Sequence, residues 1–190
     1  MYLKRNKELD VISLYSGNYK NEFYLRQISK LTKLPLKTCQ NILAFLEKER
    51  VLKGKLDGKN KYFSLNTENI KTKSYILRAE IKKTEDFLEK YPLFNSFLKS
   101  IVSNDLIVLF GSFAKRGADK DSDVDLLVIS GDEKISSHLL PFKVHKTVLT
   151  EQLFRKAILE KETLIKEIEE NHIILNNHSS YVNLMWAHYG

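Results

Sequence analysis

Residues 111–126, GSFAKRGADKDSDVDL, decide the fold of this chain. The five residues before them, 106–110 (LIVLF), are apolar, and their β-branched and aromatic side chains predict a buried strand. Gly111 and Ser112 then begin a turn that opens into a short helix. Backbone N–H groups at such a turn suit a phosphate group, so the pattern predicts a strand followed by a phosphate-binding turn.

Two aspartates lie one residue apart in the second predicted strand, residues 122–129 (SDVDLLVI). Because side chains alternate along a strand, Asp123 and Asp125 share one face, while Val124 and Leu126 point into the core. Two carboxylates at one strand end are what Mg²⁺ needs when it also takes ligands from substrate phosphates. The chemistry indicated is metal-assisted transfer from a nucleotide.

Gly-Ser, a spacer of ten residues and then Asp-x-Asp followed by apolar residues resembles the signature of the DNA polymerase β-like nucleotidyltransferase superfamily, in particular its minimal members. The resemblance covers about residues 93–182 and implies a small αβ palm. The usual form of the loop in that family is GSxAxG, whereas this chain has GSFAKRG, with Gly117 one place late. The alternative interpretation is a surface loop, because Asp119, Asp121 and Ser122 alone are ordinary turn residues.

The resemblance also implies roles for individual residues. The triphosphate-binding positions would be Gly111, Ser112, Lys115 and Ser122. The catalytic metal would bind Asp123 and Asp125. A P-loop (GxxxxGK followed by Ser or Thr) and a dinucleotide-binding GxGxxG are both absent from the sequence.

The third predicted palm strand, residues 142–149 (FKVHKTVL), is where the superfamily normally has its third carboxylate, and this strand has none. His145 and Thr147 have the face parity expected of the acid, and Lys143 shares it. Histidine can act as a base near neutral pH, so His145 is a candidate catalytic residue; the alternative is a packed or solvent-facing side chain. Three acids just outside the strand could also reach the site: Asp132, Glu133 and Glu151.

Composition restricts the class of protein. No apolar run approaches the length of a membrane span and residues 1–10 are too charged for a signal peptide, so a cytoplasmic protein without membrane contact is expected. The single cysteine, Cys39, excludes an internal disulfide framework and lies at an apolar helical position. The five histidines have no repeated metal-ligand spacing, which argues against a structural zinc site.

The basic charge is concentrated in the first third of the chain. Residues 1–66 contain 14 Lys and Arg against 6 Asp and Glu, a net charge of +8, and the remaining residues contain 17 against 18, a net charge of −1. This asymmetry indicates a module that faces nucleic acid, joined to a nearly neutral catalytic one. The alternative is a basic surface that serves only solubility.

Three helices are predicted in this basic third, over residues 8–16, 24–31 and 36–48. Their shared core is expected to contain Ile28, Leu31, Ile42, Leu43 and Leu46. Two short strands, residues 51–55 and 61–65, flank the hairpin turn 57–60 (DGKN). Three helices followed by a basic hairpin resemble the winged helix-turn-helix of bacterial and archaeal transcription regulators.

That resemblance implies a set of contacts with double-stranded DNA. Residues 34–52 contain the predicted recognition helix, whose side chains would enter the major groove, and the hairpin lysines would contact the backbone or minor groove. The set comprises Lys37, Thr38, Gln40, Asn41, Lys59 and Lys61. The alternative is a winged helix that makes protein contacts alone.

Residues 67–92 are predicted to connect the two modules, winged helix at 1–66 and nucleotidyltransferase domain at 93–190. A helix is expected from about residue 70 to 91, with a seam of Leu77, Ile81 and Leu88 that could pair two chains as a homodimer or simply pack on the palm. Further along, residues 151–170 predict an amphipathic helical stretch and residues 173–175 one more strand. The expected fold class is α+β, with a small mixed sheet in the palm.

The predicted activity is Mg²⁺-dependent transfer of NMP from an NTP, with ATP the default donor, to a hydroxyl acceptor. The resemblance implies that minimal enzymes of this kind act as antitoxins that adenylylate a small helical toxin partner, and a DNA-binding module would suit self-regulation. The alternative is a transcription regulator whose palm has become a nucleotide sensor. The missing third acid favours the regulator, and the intact GS…DxD motif favours the enzyme.

Overall fold

The computed structural model describes residues 6–119, 122–129 and 137–190. The chain forms two compact units, one comprising Met1–Ala79 with Tyr189–Gly190 and the other Glu80–His188. Each unit contains one small sheet. Among the described residues, no helix combines the length and the apolar character that crossing a bilayer requires.

The first unit begins with three helices. Helix α1 spans Lys7–Ile12 and continues as a 3-10 turn at Ser13–Tyr15, α2 spans Leu25–Thr32, and α3 spans Leu36–Lys48. Helix α2 ends where Lys33 takes a left-handed conformation with φ +58°. The buried side chains of α2 and α3 are Ile28, Cys39, Leu43 and Leu46.

Leu31 is 53% exposed, so its predicted place in the core is wrong, and Ile42 is only half-buried. The eight-residue helix α2 buries a narrow stripe centred on Ile28. A residue three places further along is rotated by about 60° from that stripe. The periodicity was compatible with burial of Leu31, but the short helix does not cover that direction.

Three antiparallel strands complete the first unit. Strand β1 is Phe23–Tyr24, β2 is Leu52–Asp57 and β3 is Asn60–Leu65, in the order β1-β3-β2. Asp57 pairs with Asn60, so the hairpin closes with two residues, and Gly58 takes φ +56° as such a tight turn requires. The sequence does not predict β1, because two residues are too short to show alternation.

Helix α4 spans Ile70–Lys90 and helix α5 spans Phe94–Ser100. On the predicted seam of α4, Ile81 is 40% exposed and Leu77 and Leu88 are half-buried, with Leu88 packed against the palm core, and pairing of two chains through this seam stays a prediction. The buried positions instead are Thr72, Ile76, Ala79, Glu80, Thr84 and Phe87. Periodicity of apolar residues missed this face because three of its side chains are polar and are buried through hydrogen bonds or ion pairs.

The second unit contains a four-stranded mixed sheet, as the sequence predicts. Strands β4 (Leu106–Phe110), β5 (Val124–Ile129), β6 (Val144–Leu149) and β7 (Ile173–Asn176) lie in the order β6-β5-β4-β7. Strand β4 is antiparallel to both neighbours, and β5 is parallel to β6. Every residue of β4 is buried, which explains its continuous apolar run.

Four helices follow or interrupt these strands: α6 (Gly111–Ala114), α7 (Glu151–Glu160), α8 (Thr163–Glu170) and α9 (His178–Tyr189). The helical stretch predicted over residues 151–170 is therefore two helices, broken where Lys161 takes φ +53°. One sheet face packs into an aromatic core with residues of α4, α5 and α6, among them Phe87, Phe94, Phe97 and Phe113. The fold class is mixed α+β, consistent with a nucleotidyltransferase palm.

Candidate active site

The turn that ends β4 requires glycine at position 111. Gly111 takes φ +70°, a left-handed conformation that L side chains rarely adopt. A Cβ built on Gly111 would also collide with the Oδ2 atom of Asp125. Asp125 is the strand partner of Phe110, so the pairing of β4 with β5 presses its carboxylate against this turn.

The turn continues into a short loop that folds back on Ser112. Lys115 donates its backbone N–H to Gly111 O at 3.1 Å, and Gly117 donates to Ser112 O at 3.2 Å. The left-handed residue of this loop is Arg116, with φ +57°, whereas Gly117 takes no left-handed φ and has open space around its Cα. The glycine that the sequence places one position late is therefore not the residue that makes the bend.

Asp123 immediately precedes β5 and faces two basic side chains. The backbone N–H of Val124 donates to Lys143 O at 2.8 Å, which aligns the start of β5 with β6. Asp123 Oδ2 lies 3.0 Å from His145 Nε2 and 3.5 Å from Lys143 Nζ. All three side chains are at least 40% exposed, so a solute can reach the carboxylate.

The surroundings of Asp125 make its ionised form costly. Burial raises the pKa of the Asp125 carboxyl above its ordinary value, and the charges of Glu167 and Asp123 raise it further, although His145 opposes them. A bound cation would reverse this cost. The position therefore suits a metal ligand better than an isolated carboxylate.

Strand β6 places His145 beside Asp125, because these residues are register partners in the parallel β5–β6 pair. The face parity predicted for His145 follows from this register. Of the nearby acids, Glu151 is paired with Arg155 at 2.8 Å, and Asp132 and Glu133 lie outside the described residues.

Sequence analysis missed Glu167, whose charge acts on Asp125 from helix α8. It lies more than 40 positions after the aspartates, at the half-buried margin of an amphipathic helix. No spacing rule connects a strand acid with a distant helix acid. Only the packing of the helix against the sheet brings them close enough to interact.

Ser122 takes part in a local turn with Asp119. Its Oγ donates to Asp119 Oδ1 at 2.8 Å, and the Asp119 backbone N–H donates to Ser122 Oγ at 2.9 Å. These two hydrogen bonds tie Ser122, the residue before Asp123, to Asp119. Asp121, one of the acids in the surface-loop interpretation, lies outside the described residues.

The donor set fits Mg²⁺ shared with a substrate, and not a site made by protein alone. In the described part of the chain, no three His, Cys, Asp or Glu side chains are grouped closely enough to hold a metal ion. Mg²⁺ commonly binds through one or two carboxylates and completes its shell with phosphate oxygens and water. Asp123 and Asp125 supply those two carboxylates at adjacent same-face positions.

The predicted DNA contacts fall on two surfaces of the first unit. Lys37, Gln40 and Asn41 are exposed on one face of α3, while Thr38 is half-buried. Lys59 is exposed at the hairpin turn.

Lys61 is also exposed, but its Nζ lies 2.7 Å from Glu47 Oε1 and 5.3 Å from the centroid of the Phe63 ring. Its charge is therefore partly compensated within the unit. A cavity of about 670 Å³ separates the hairpin from α2 and α3 and is lined by Gln40, Lys59 and Lys61, among others.

Comparison with known proteins identifies the part of the chain that holds the Asp pair. Searches of curated proteins and of solved structures found no match. Residues 91–176 match the family model described as the nucleotidyltransferase domain. This span contains the Gly111 turn, Asp123, Asp125 and the whole four-stranded sheet. This part of the chain is therefore similar to a nucleotidyltransferase domain.

Proposed function

We propose that the protein transfers an NMP unit from an NTP to a hydroxyl group in a Mg²⁺-dependent reaction, with ATP as the default donor. The observation that carries this proposal is the position of Asp123 and Asp125 at the start of β5, against the Gly111 turn. The family match supplies the reaction class. For the metal, the base of the nucleotide and the acceptor, we propose Mg²⁺, adenine and a hydroxyl group.

The chain's residues divide into metal and phosphate ligands. Asp123 and Asp125 hold Mg²⁺, which neutralises charge on the triphosphate when bound. Gly111 and Ser112, with their backbone N–H groups, hold the phosphates, because a side chain at 111 would displace Asp125 and block close approach. Lys115 is exposed directly after this turn and adds a positive charge.

Ser122 completes the phosphate-binding set through the turn that it forms with Asp119. The hydroxyl is engaged with Asp119, so its contribution is to orient the chain entering Asp123. His145 and Lys143 both approach Oδ2 of Asp123, which leaves Oδ1 for a metal ion. The two basic side chains thereby face the site where the acceptor and the phosphates would bind.

We assign deprotonation of the acceptor hydroxyl to His145. Glu167 adds a third negative charge near Asp123 and Asp125. His145 is adjacent to Asp125 in register and to Asp123 by direct contact. Strand β6 lacks the third acid, and the negative charge of Glu167 on helix α8 takes its place. A positioned general base is typically worth about 10²–10⁴ in rate.

The test is incubation with α-labelled ATP, other α-labelled NTPs, Mg²⁺ and candidate acceptors that include proteins, RNA and small hydroxyl compounds. Wild type is compared with Asp123→Asn, His145→Ala and the exposed control Glu170→Gln. Label transfer that is lost in Asp123→Asn and retained in Glu170→Gln supports the proposal. Transfer that ignores His145→Ala would remove histidine as the base.

A second candidate function is a transcription regulator whose palm binds nucleotide without transferring it. The observation that favours it is the acid-free face of β6, where Lys143 and His145 occupy the side of the sheet beside the Asp pair. Metal-dependent ATP binding with no transfer to any acceptor would decide for this alternative.

For the N-terminal unit we propose double-stranded DNA binding through α3 and the β2–β3 hairpin. The support is the net charge of +8 over residues 1–66 and the exposure of Lys37, Gln40, Asn41 and Lys59. Three helices with a three-stranded antiparallel sheet suit a winged helix-turn-helix. An antitoxin that modifies a small helical toxin and regulates its own operon would use both units.

A further inference from the structure

Arg116 holds a backbone conformation that its side chain disfavours. Its φ of +57° is left-handed, and for a residue with a Cβ this conformation persists only when surrounding contacts maintain it. The next residue, Gly117, could adopt such a φ without cost but does not. Two helix-end hydrogen bonds, Arg116 N–H to Phe113 O at 3.0 Å and Gly117 N–H to Ser112 O at 3.2 Å, support this conformation from within the loop, and contacts from outside the loop can reinforce it.

The last turn of α4 provides those contacts. Lys90 Nζ donates to the backbone O of Arg116 at 2.5 Å. The Arg116 guanidinium lies 3.9 Å from Asp86 Oδ2, and Asp86 is also paired with Lys82 at 2.6 Å. Lys90 additionally lies 5.2 Å from the centroid of the Tyr91 ring, which restricts its side chain.

The held carbonyl is adjacent to the bond that closes the loop. The peptide that contains Arg116 O also contains the Gly117 N–H, which donates to Ser112 O at 3.2 Å. A peptide unit is planar, so fixing its oxygen fixes the direction of its N–H. Lys90 thereby sets the position of Ser112 from a helix outside the loop.

We propose that Lys90 is a positioning residue for the phosphate-binding turn, acting through the left-handed Arg116 peptide on Ser112. This inference rests on the proposed function, because it gives Ser112 a role in binding the triphosphate. Lys90 itself does not touch the substrate. Its loss lets the Arg116 peptide rotate and weakens NTP binding while the Asp pair stays in place.

The test measures binding of a non-hydrolysable ATP analogue with Mg²⁺ to four full-length proteins: wild type, Lys90→Met, Arg116→Gly and the double variant. Lys90→Met is expected to weaken binding about tenfold, the loss of one charge-assisted hydrogen bond. Arg116→Gly alone is expected to bind like wild type, because glycine adopts the left-handed conformation without support. The double variant should recover to within about threefold of wild type.

Lys90→Arg keeps a hydrogen-bond donor and should retain most of the affinity of wild type. Lys99 is an exposed lysine at the end of α5, and Lys99→Met is the control for the loss of one positive charge. Where transfer is measurable, Lys90→Met should raise KM and leave kcat within about twofold. Wild-type affinity in Lys90→Met, or a double variant as weak as Lys90→Met, would overturn the inference. Failure of wild type to bind the analogue would instead reject the proposed function.

Discussion

Asp125 is a carboxylate whose ionisation the fold opposes. Burial and the neighbouring charges of Glu167 and Asp123 raise its pKa, and His145 only partly offsets them. A raised pKa in the folded state means that folding favours the protonated form. The associated stability is present below the ordinary pKa and is lost as the pH rises through the raised value. At neutral pH, Asp125 therefore lowers stability.

Replacing Asp125 with Asn should separate stability from function. Without metal at pH 7, Asp125→Asn is expected to unfold at the same or higher urea concentration than wild type, and this advantage should shrink as the pH falls toward 4. NMP transfer should fall by at least about 10²-fold, because a direct metal ligand is lost. Urea titrations at both pH values check the first part. A variant clearly less stable than wild type at pH 7 would show that the fold does not destabilise the ionised carboxylate of Asp125.

Gly111 and Gly117 form a matched pair for testing the turn. Gly111→Ala combines an unfavourable φ with a collision against Asp125, so a loss of more than about 1 kcal/mol of stability and loss of nucleotide binding are expected. The Cβ added by Gly117→Ala would have no atom within 4 Å, so this variant should change stability and nucleotide binding little. Denaturant unfolding and nucleotide titration measure the two effects, and equal behaviour of the variants would contradict the assignment of the bend.

At the scale of elements, a buried polar cluster ties α4 to the helices and strand that follow β6. Glu80 is fully buried, with Oε1 at 3.0 Å from His172 Nε2 and Oε2 at 2.9 Å from Lys83 Nζ, the latter without a well-directed hydrogen bond. His172 Nδ1 donates to Ile168 O at 2.7 Å. Thr84 Oγ1 donates to Ile174 O at 2.6 Å, so α4 is fixed to both α8 and β7.

Glu80→Gln is expected to destabilise the protein by about 3–5 kcal/mol at pH 7, because the buried partners lose their counter-charge. Burial alone raises the pKa of Glu80, but the charges and hydrogen bonds of His172 and Lys83 outweigh it and lower the pKa from 4.5 to about 2. A lowered pKa contributes stability above pH 4.5 that is lost as the pH falls toward 2. The difference in the free energy of unfolding between wild type and Glu80→Gln should therefore decrease as the pH falls over that range.

Glu85→Gln, at an exposed position of the same helix, is the control and should change stability by less than about 0.5 kcal/mol. Guanidinium unfolding at several pH values measures both variants. A Glu80→Gln protein as stable as the control would mean that the cluster does not hold α4.

The two hairpin lysines should contribute unequally to DNA binding. Lys59 is exposed at the turn, whereas Lys61 is partly neutralised by Glu47. Lys59→Gln is expected to lower the affinity for all DNA sequences similarly and to reduce the slope of log K against log salt concentration by about 1. Lys61→Gln should reduce this slope by less. Fluorescence anisotropy with duplex DNA at several salt concentrations tests this. A larger effect of Lys61→Gln would show that its pair with Glu47 opens on binding.

Most elements could be predicted from local patterns, and the failures have identifiable physical causes. The apolar residues of β4 and β5 give a strong strand signal because every residue of β4 and every residue of β5 except Asp125 is buried. The buried face of α4 could not be predicted, because Glu80 and Thr84 are buried against partners about 90 positions away, His172 and Ile174. Helix α5 was not predicted either, and the break between α7 and α8 depends on the conformation of Lys161.

The sequence predicts only those parts of the site that are formed by residues close to one another along the chain. The Gly111 turn and the Asp pair are within 15 positions and follow from spacing, and the match of residues 91–176 gives the same domain type. Glu167 and the contact of Lys90 with Arg116 depend on tertiary packing, which no local pattern encodes. The winged helix and its DNA contacts remain predictions.

The two compact units differ in charge as well as in fold. The basic excess lies within residues 1–66, while the metal pair and the family match lie beyond residue 80. We therefore propose nucleotide chemistry for the second unit and nucleic-acid contact for the first. On this proposal the second unit binds NTP through a divalent cation held by Asp123 and Asp125.

Calorimetric titration of ATP into wild type and Asp125→Asn, each with and without Mg²⁺, tests that claim most directly. Triphosphate beside two carboxylates is repulsive until a cation neutralises the charge, so binding is expected only for wild type with Mg²⁺. The other three titrations should show affinity at least about tenfold weaker. Equal affinity in all four titrations would contradict the account.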